Sequence, residues 1–145
     1  MELQEIFNKA VKHFAGMAEP SMDGTNDTST QCAYRGTNGN KCVVGAFIPD
    51  ELYDENLEGD AIDPDAIGGV DGYHDSRIKA VLADAFKQKK LTQDQYVLLG
   101  TLQKIHDGNA DDWRTYKSDH ISWYEYNRQE LYVCGEKFDL ELGEV

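Results

Sequence analysis

The apolar residues Leu3, Ile6, Phe7, Ala10, Val11 and Phe14 recur at i, i+3, i+4, i+7, i+8 and i+11. Only a helix gathers that spacing onto one face, because it turns once in about 3.6 residues. Residues 2–15 are therefore predicted as an amphipathic helix whose apolar side must find a core. The stripe Ile78, Val81, Leu82, Ala85 and Phe86 predicts another helix from Asp75, whose basic end (Lys87, Lys89, Lys90) suits the helix dipole. Thr92-Gln93-Asp94-Gln95 reads as a capping box opening a helix over 93–107, with Leu98, Leu102 and Ile105 inward and Gly108-Asn109 as its end. Pro49, followed by Asp50 and Glu51, predicts a helix running to Glu58 and stopping at Gly59. Residues 111–129 hold both tryptophans and Tyr116, Tyr124 and Tyr126, on one helix or two short ones.

The period changes in two places. In CAYRGTNGNKCVVGAFI, Asn38-Gly39 is a hairpin-turn signal, predicting strands at 31–36 and 41–47 with Cys32 near Gly45 and Arg35 near Cys42. In LYVCGEKFDLEL, Gly135-Glu136 separates two runs, and Phe138, Leu140 and Leu142 alternate with Asp139 and Glu141, predicting a hairpin tail over 130–145. The expected architecture is α+β: a helix-dominated single domain over 1–145, with two β-hairpins forming a small antiparallel sheet. Residues 16–31 read as a long flexible loop, and 60–72 as turns with at most a short helical piece.

A chain of 145 residues suits one domain. No run nears the roughly 18 apolar residues of a membrane span. The N-terminus opens with acids and lacks the pattern of a signal peptide, so a cytoplasmic location is expected. Cys32, Cys42 and Cys134 are an odd number without a Cys-x-x-Cys pair, which argues for reduced, buried thiols. A Cys32–Cys42 bridge across the turn is the alternative, and the hairpin register disfavours it.

Net charge is −13 and unevenly placed. Residues 49–75 hold ten acids and no Lys or Arg, whereas residues 76–110 hold six bases against three acids. That asymmetry disfavours nucleic acid and anionic membrane as direct partners and favours a protein with a basic surface. The candidate partner-binding residues are Asp50, Glu51, Asp54, Glu55, Glu58, Asp60, Asp63 and Asp65, able to imitate the phosphate spacing of a nucleic acid. Trp113 and Trp123 are candidate anchors or core.

Enzyme-like motifs are weaker. Cys42 as nucleophile, His106 as base and Asp107 as orienter form one candidate set, although Cys42 sits in an apolar run where inert thiols are usual. His74-Asp75 and His106-Asp107 lack the further ligands of a metal site, and Asp60, Asp63 and Asp65 lack the EF-hand spacing. Gly68-Gly69-Val70-Asp71-Gly72 has no lysine for a phosphate loop. No cofactor or metal is called for. Arg35 is read as pairing with an acid of 50–58 in preference to binding an anionic ligand.

Residues 32–59 carry C-x-Y-R-x-x-x-G-x-K-C-x-x-G-x-x-I-P-D-E-x-Y-D; Gln4-Glu5-Ile6-Phe7 precedes them and Leu102-Gln103-Lys104-Ile105-His106-Asp107 follows. This combination resembles a family of small uncharacterised proteins of bacteriophages and bacteria. The resemblance spans about residues 3–113 and ends where this chain has an aromatic stretch and tail in place of one short helix. It implies a phage or prophage setting. Three functions remain open: a non-enzymatic inhibitor of a basic host protein (a nuclease, defence effector or polymerase), a small enzyme or ligand-binding protein using Cys42, His106 and Asp107, and a structural or accessory phage protein.

Overall fold

The structure, a computed structural model, describes residues 1–21, 34–36, 39–59, 62 and 77–143. Most of the expected loop at 16–31, the turns at 60–72 apart from Ile62, Cys32, His74 and the last two residues lie outside these. Among the described residues four α-helices carry the fold: α1 (Leu3–Gly16), α2 (Arg77–Ala85), α3 (Gln93–Asp112) and α4 (Trp123–Lys137). Helices α1, α3 and α4 pack pairwise against one another. The α1 stripe is buried as its spacing demands, with Ile6, Phe7, Ala10, Val11 and Phe14 all in the core. Burying a side chain such as Phe7 or Ile6 contributes about 2 kcal/mol. The Thr92 capping box is formed: the Gln95 N–H donates to Thr92 Oγ1 at 3.1 Å, and the Thr92 N–H to Gln95 Oε1 at 2.9 Å.

The α+β expectation is overturned, since the described residues contain no strand and no sheet. Among the described residues the first hairpin shows one antiparallel bridge, Arg35 with Lys41, so Arg35 faces Lys41 instead of Cys42. The Gly36 N–H donates to Asn40 O at 2.8 Å and the Cys42 N–H to Tyr34 O at 3.2 Å, with Gly39 at φ +85°. Beyond Cys42 the chain leaves the extended conformation. Gly45–Phe47 form a 3-10 turn in which a Cβ on Gly45 would lie 2.0 Å from Tyr34 O. Only glycine lets the two limbs approach that closely.

The second hairpin is replaced by α4. Trp123, Asn127, Leu131, Cys134 and Gly135 are its buried residues, and their spacing is helical. That stripe outweighs the strand preference of Tyr132 and Val133, which are left exposed. Gly135 is a helix-interior residue and not a turn: a Cβ there would lie 3.0 Å from the Phe7 ring and 3.0 Å from Leu140 O. The tail beyond α4 keeps its alternation, with Phe138, Leu140 and Leu142 half-buried and Asp139 and Glu141 exposed. Its pairing partner is a side chain: the Gln4 amide donates to Glu141 O at 2.9 Å and accepts the Glu141 N–H at 3.0 Å, standing in for a neighbouring strand.

Three boundaries also move. Helix α3 runs through Gly108-Asn109 to Asp112 and into a π-helical turn at Trp113–Lys117. Burial of Ala110 and Trp113 holds it, as does Asn109, whose amide donates to Asn127 Oδ1 at 2.8 Å and Glu130 Oε2 at 2.7 Å. Helix α2 stops before its lysines: the Gln88 N–H bonds Ala83 O and the Lys87 N–H bonds Asp84 O, with Lys87 at φ +57°. Pro49 is an N-cap, and the expected helix to Glu58 is two 3-10 turns, Asp50–Leu52 and Glu55–Gly59, separated where Tyr53 is extended.

Candidate functional site

Two polar clusters grip the 34–48 turn from opposite sides. The outer one is the start of the acid-rich segment. Ile48, Leu57 and Ile62 are buried and pin it to the core. Asp50 pairs with Arg35 at 2.7 Å and lies 3.8 Å from Lys41. The Arg35 guanidinium also donates to Ile48 O at 3.2 Å and sits 4.3 Å above the centre of the Tyr53 ring. Arg35 is thus the acid-paired residue that its surroundings suggested. Glu58 accepts the N–H groups of Tyr34 at 2.8 Å and Arg35 at 3.1 Å, together with the Tyr53 hydroxyl. Burial, and then that bond to a carboxylate, push the Tyr53 hydroxyl up to about 12.

The described acids of this segment therefore divide by role. Asp50 and Glu58 tie the turn down. Glu51, Asp54 and Glu55 are exposed, with Asp54 also capping the second 3-10 turn through the Asn56 N–H at 2.9 Å. Asp60, Asp63 and Asp65 lie outside the described residues. Trp113 and Trp123 are core residues: Trp123 is 1% exposed, stacks on Phe14 with ring centres 6.0 Å apart, and meets Trp113 edge-on at 5.5 Å. Among the described residues the large aromatics on the surface are instead Tyr116 and Tyr132. An open groove of about 420 Å³ beside α4, lined by Glu125, Arg128, Gln129, Tyr132 and Leu142, contains none of the catalytic or partner-binding candidates read from sequence.

The inner cluster centres on α3. His106 is wholly buried, against the rings of Phe14 and Trp123. Its Nε2 accepts the Ser21 backbone N–H at 3.0 Å, so its hydrogen is on Nδ1, which faces Asp107 Oδ1 at 3.0 Å. The Gln103 amide donates to the same Asp107 oxygen at 2.7 Å and accepts the buried Val44 N–H at 3.0 Å. Ser21 Oγ donates to Asn40 O at 3.0 Å, and His13 bonds Lys41 O.

Cys42, His106 and Asp107 are thus in one neighbourhood, but the bonds among them are not those of an activated thiol. Both imidazole nitrogens are engaged elsewhere, by Ser21 and Asp107. Cys42 is wholly buried, its Sγ accepts the Gly45 N–H at 3.3 Å, and burial above all holds the thiol well above its ordinary value. Cys42 and Cys134 are both free thiols. Among the described residues no group of three or more His, Cys, Asp or Glu side chains is placed to hold a metal. No helix among them is long and apolar enough to cross a membrane. Sequence reasoning missed Ser21 and Gln103, whose partners are 85 and 59 positions away and leave no local pattern.

Comparisons with protein-family models, curated proteins and solved structures found no match.

Proposed function

We propose that the protein is a non-enzymatic binding protein that presents Glu51, Asp54 and Glu55 to a basic surface on a partner protein. The observation that carries this reading is the division of labour among the acids. Asp50 and Glu58 fix the shelf, and the three carboxylates between them face outward from a backbone pinned by Ile48 and Leu57. Fixed carboxylates lose less freedom on binding than mobile ones, and their field speeds encounter with a cationic surface. In keeping with the resemblance read from residues 32–59, we propose as partner a bacterial host protein, a nuclease, defence effector or polymerase whose nucleic-acid groove the carboxylates occupy.

The test is affinity capture from a bacterial lysate with the wild-type protein and with the E51Q/D54N/E55Q variant as baits. At low ionic strength the wild type is expected to retain a basic nucleic-acid-binding protein; the variant and a high-salt wash are expected to lose it. Retention that survives both would refute an electrostatic interface.

A further inference from the structure

In the inner cluster, the bond between Ser21 and His106 works for only one protonation state of the imidazole. The Ser21 N–H donates to His106 Nε2 at 3.0 Å, and both residues are wholly buried. We propose that His106 is a pH-operated latch: protonation of Nε2 turns the acceptor of the Ser21 N–H into a second donor, and this releases the 17–21 segment from α3.

The surroundings favour release at that side of the ring and not the other. On its own helix, Asp107 Oδ1 faces Nδ1 at 3.0 Å, and a carboxylate holds an imidazolium more strongly than an imidazole. The ring therefore stays with α3 while Ser21 is expelled. From α1, His13 is the other ionisable group close enough to couple to His106, with Lys9 and Lys41 beside it. From the 34–48 turn, Cys42 lies close enough to couple to Asp107, and Gln103 braces Asp107 from one turn earlier in α3. From α4 comes the uncharged Trp123 indole.

Loss of the Ser21 bond is not local. Ser21 Oγ donates to Asn40 O, and the Asn40 amide donates to Glu19 Oε1 at 3.4 Å, so the segment and the 39–41 limb are bonded together. Met17 and Pro20 are buried in the same segment. Opening the latch exposes them and loosens the limb whose Lys41 lies against Asp50. Acid thus changes the mounting of the acidic shelf without touching its carboxylates. The latch stands on the bonds around His106 and does not depend on what the shelf binds.

Amide hydrogen exchange tests it, read at Ser21 against Leu99 and Leu102 of α3 as internal references, at about pH 7.5 and about pH 5.5. In the wild type, Ser21 protection relative to the references is expected to fall on the order of tenfold or more at the lower pH. The protonation state of the His106 ring nitrogens is followed by 15N NMR over the same range, and Ser21 protection is expected to fall only where Nε2 carries a proton. The His106→Gln variant keeps an acceptor but cannot be protonated, so its relative Ser21 protection is expected to stay constant. The latch is overturned if His106 titrates while Ser21 stays protected, if Ser21 opens while His106 does not titrate, or if His106→Gln shows the same loss. Should His106→Gln fail to fold, the wild-type comparison of ring titration and Ser21 exchange decides alone.

Discussion

The outer and inner grips on the 34–48 turn solve one problem with opposite chemistry. Outside, ionised carboxylates of Asp50 and Glu58 hold Arg35, Lys41, Tyr53 and two backbone N–H groups close to solvent. Inside, an amide (Gln103), an imidazole (His106) and a hydroxyl (Ser21) make their bonds away from water. Water and salt weaken the first set, and solvent can replace any partner removed from it. Nothing replaces a partner removed from the second, so each loss there costs the desolvation of the group left behind. The comparison teaches why the acids that carry charge can also be the exposed ones, while the cluster that resembles a catalytic set is the more structural of the two.

The hardest way to break both grips at once is at the contact between the two limbs. Gly45→Ala drives a methyl into Tyr34 O, 2.0 Å away, and is expected to destabilise by about 4 kcal/mol or to prevent folding, as read from urea denaturation. Next is the inner grip. Gln103→Leu leaves the Val44 N–H buried without an acceptor and is expected to cost about 2 kcal/mol, independent of salt. The outer counterpart, Glu58→Gln, is expected to cost about 1 kcal/mol, and the difference from wild type should shrink as salt is added. Equal costs, or a salt-sensitive Gln103 variant, would erase the distinction.

The smallest expected effect is that of His13, and its sign is fixed. Burial, the largest influence, holds the ring below its ordinary 6.5, against the opposing bond to Lys41 O. Below that pH the unfolded chain takes up a proton that the folded one resists. The stability is therefore full above 6.5 and lost as pH falls through the lowered folded value. Denaturation midpoints measured over that range should decline with acid in the wild type and more shallowly in His13→Gln. A midpoint that rises as pH falls would contradict the burial.

Legibility followed range along the chain. Helix α1 was readable because six apolar residues at helical spacing lie within twelve positions, and the start of α3 because Thr92 and Gln95 complete their own bonds. The first half of α4 falls within the helix or helices expected over 111–129, but its continuation to Lys137 was not readable, because Asn127 and Gly135 in its buried stripe carry no hydrophobic signal. Asn127 is suited to the interior only by Asn109 and by the Trp123 carbonyl, which its amide reaches at 2.7 Å. In the candidate site, the pairing of Arg35 with a nearby acid was foreseeable, and Glu58 as a clamp on two backbone amides was not.

The sequence by itself determined where α1 and α3 begin, which face of α1 is apolar and where charge is concentrated, because those depend on neighbours within a turn or two. Tertiary structure alone decided that α4 continues to Lys137 with Gly135 pressed on Phe7, that the tryptophans are core, and that His106 bonds Ser21 across 85 positions. The physical reason is that a buried polar group needs a partner wherever the chain can supply one. That requirement acts through space and leaves no spacing to read.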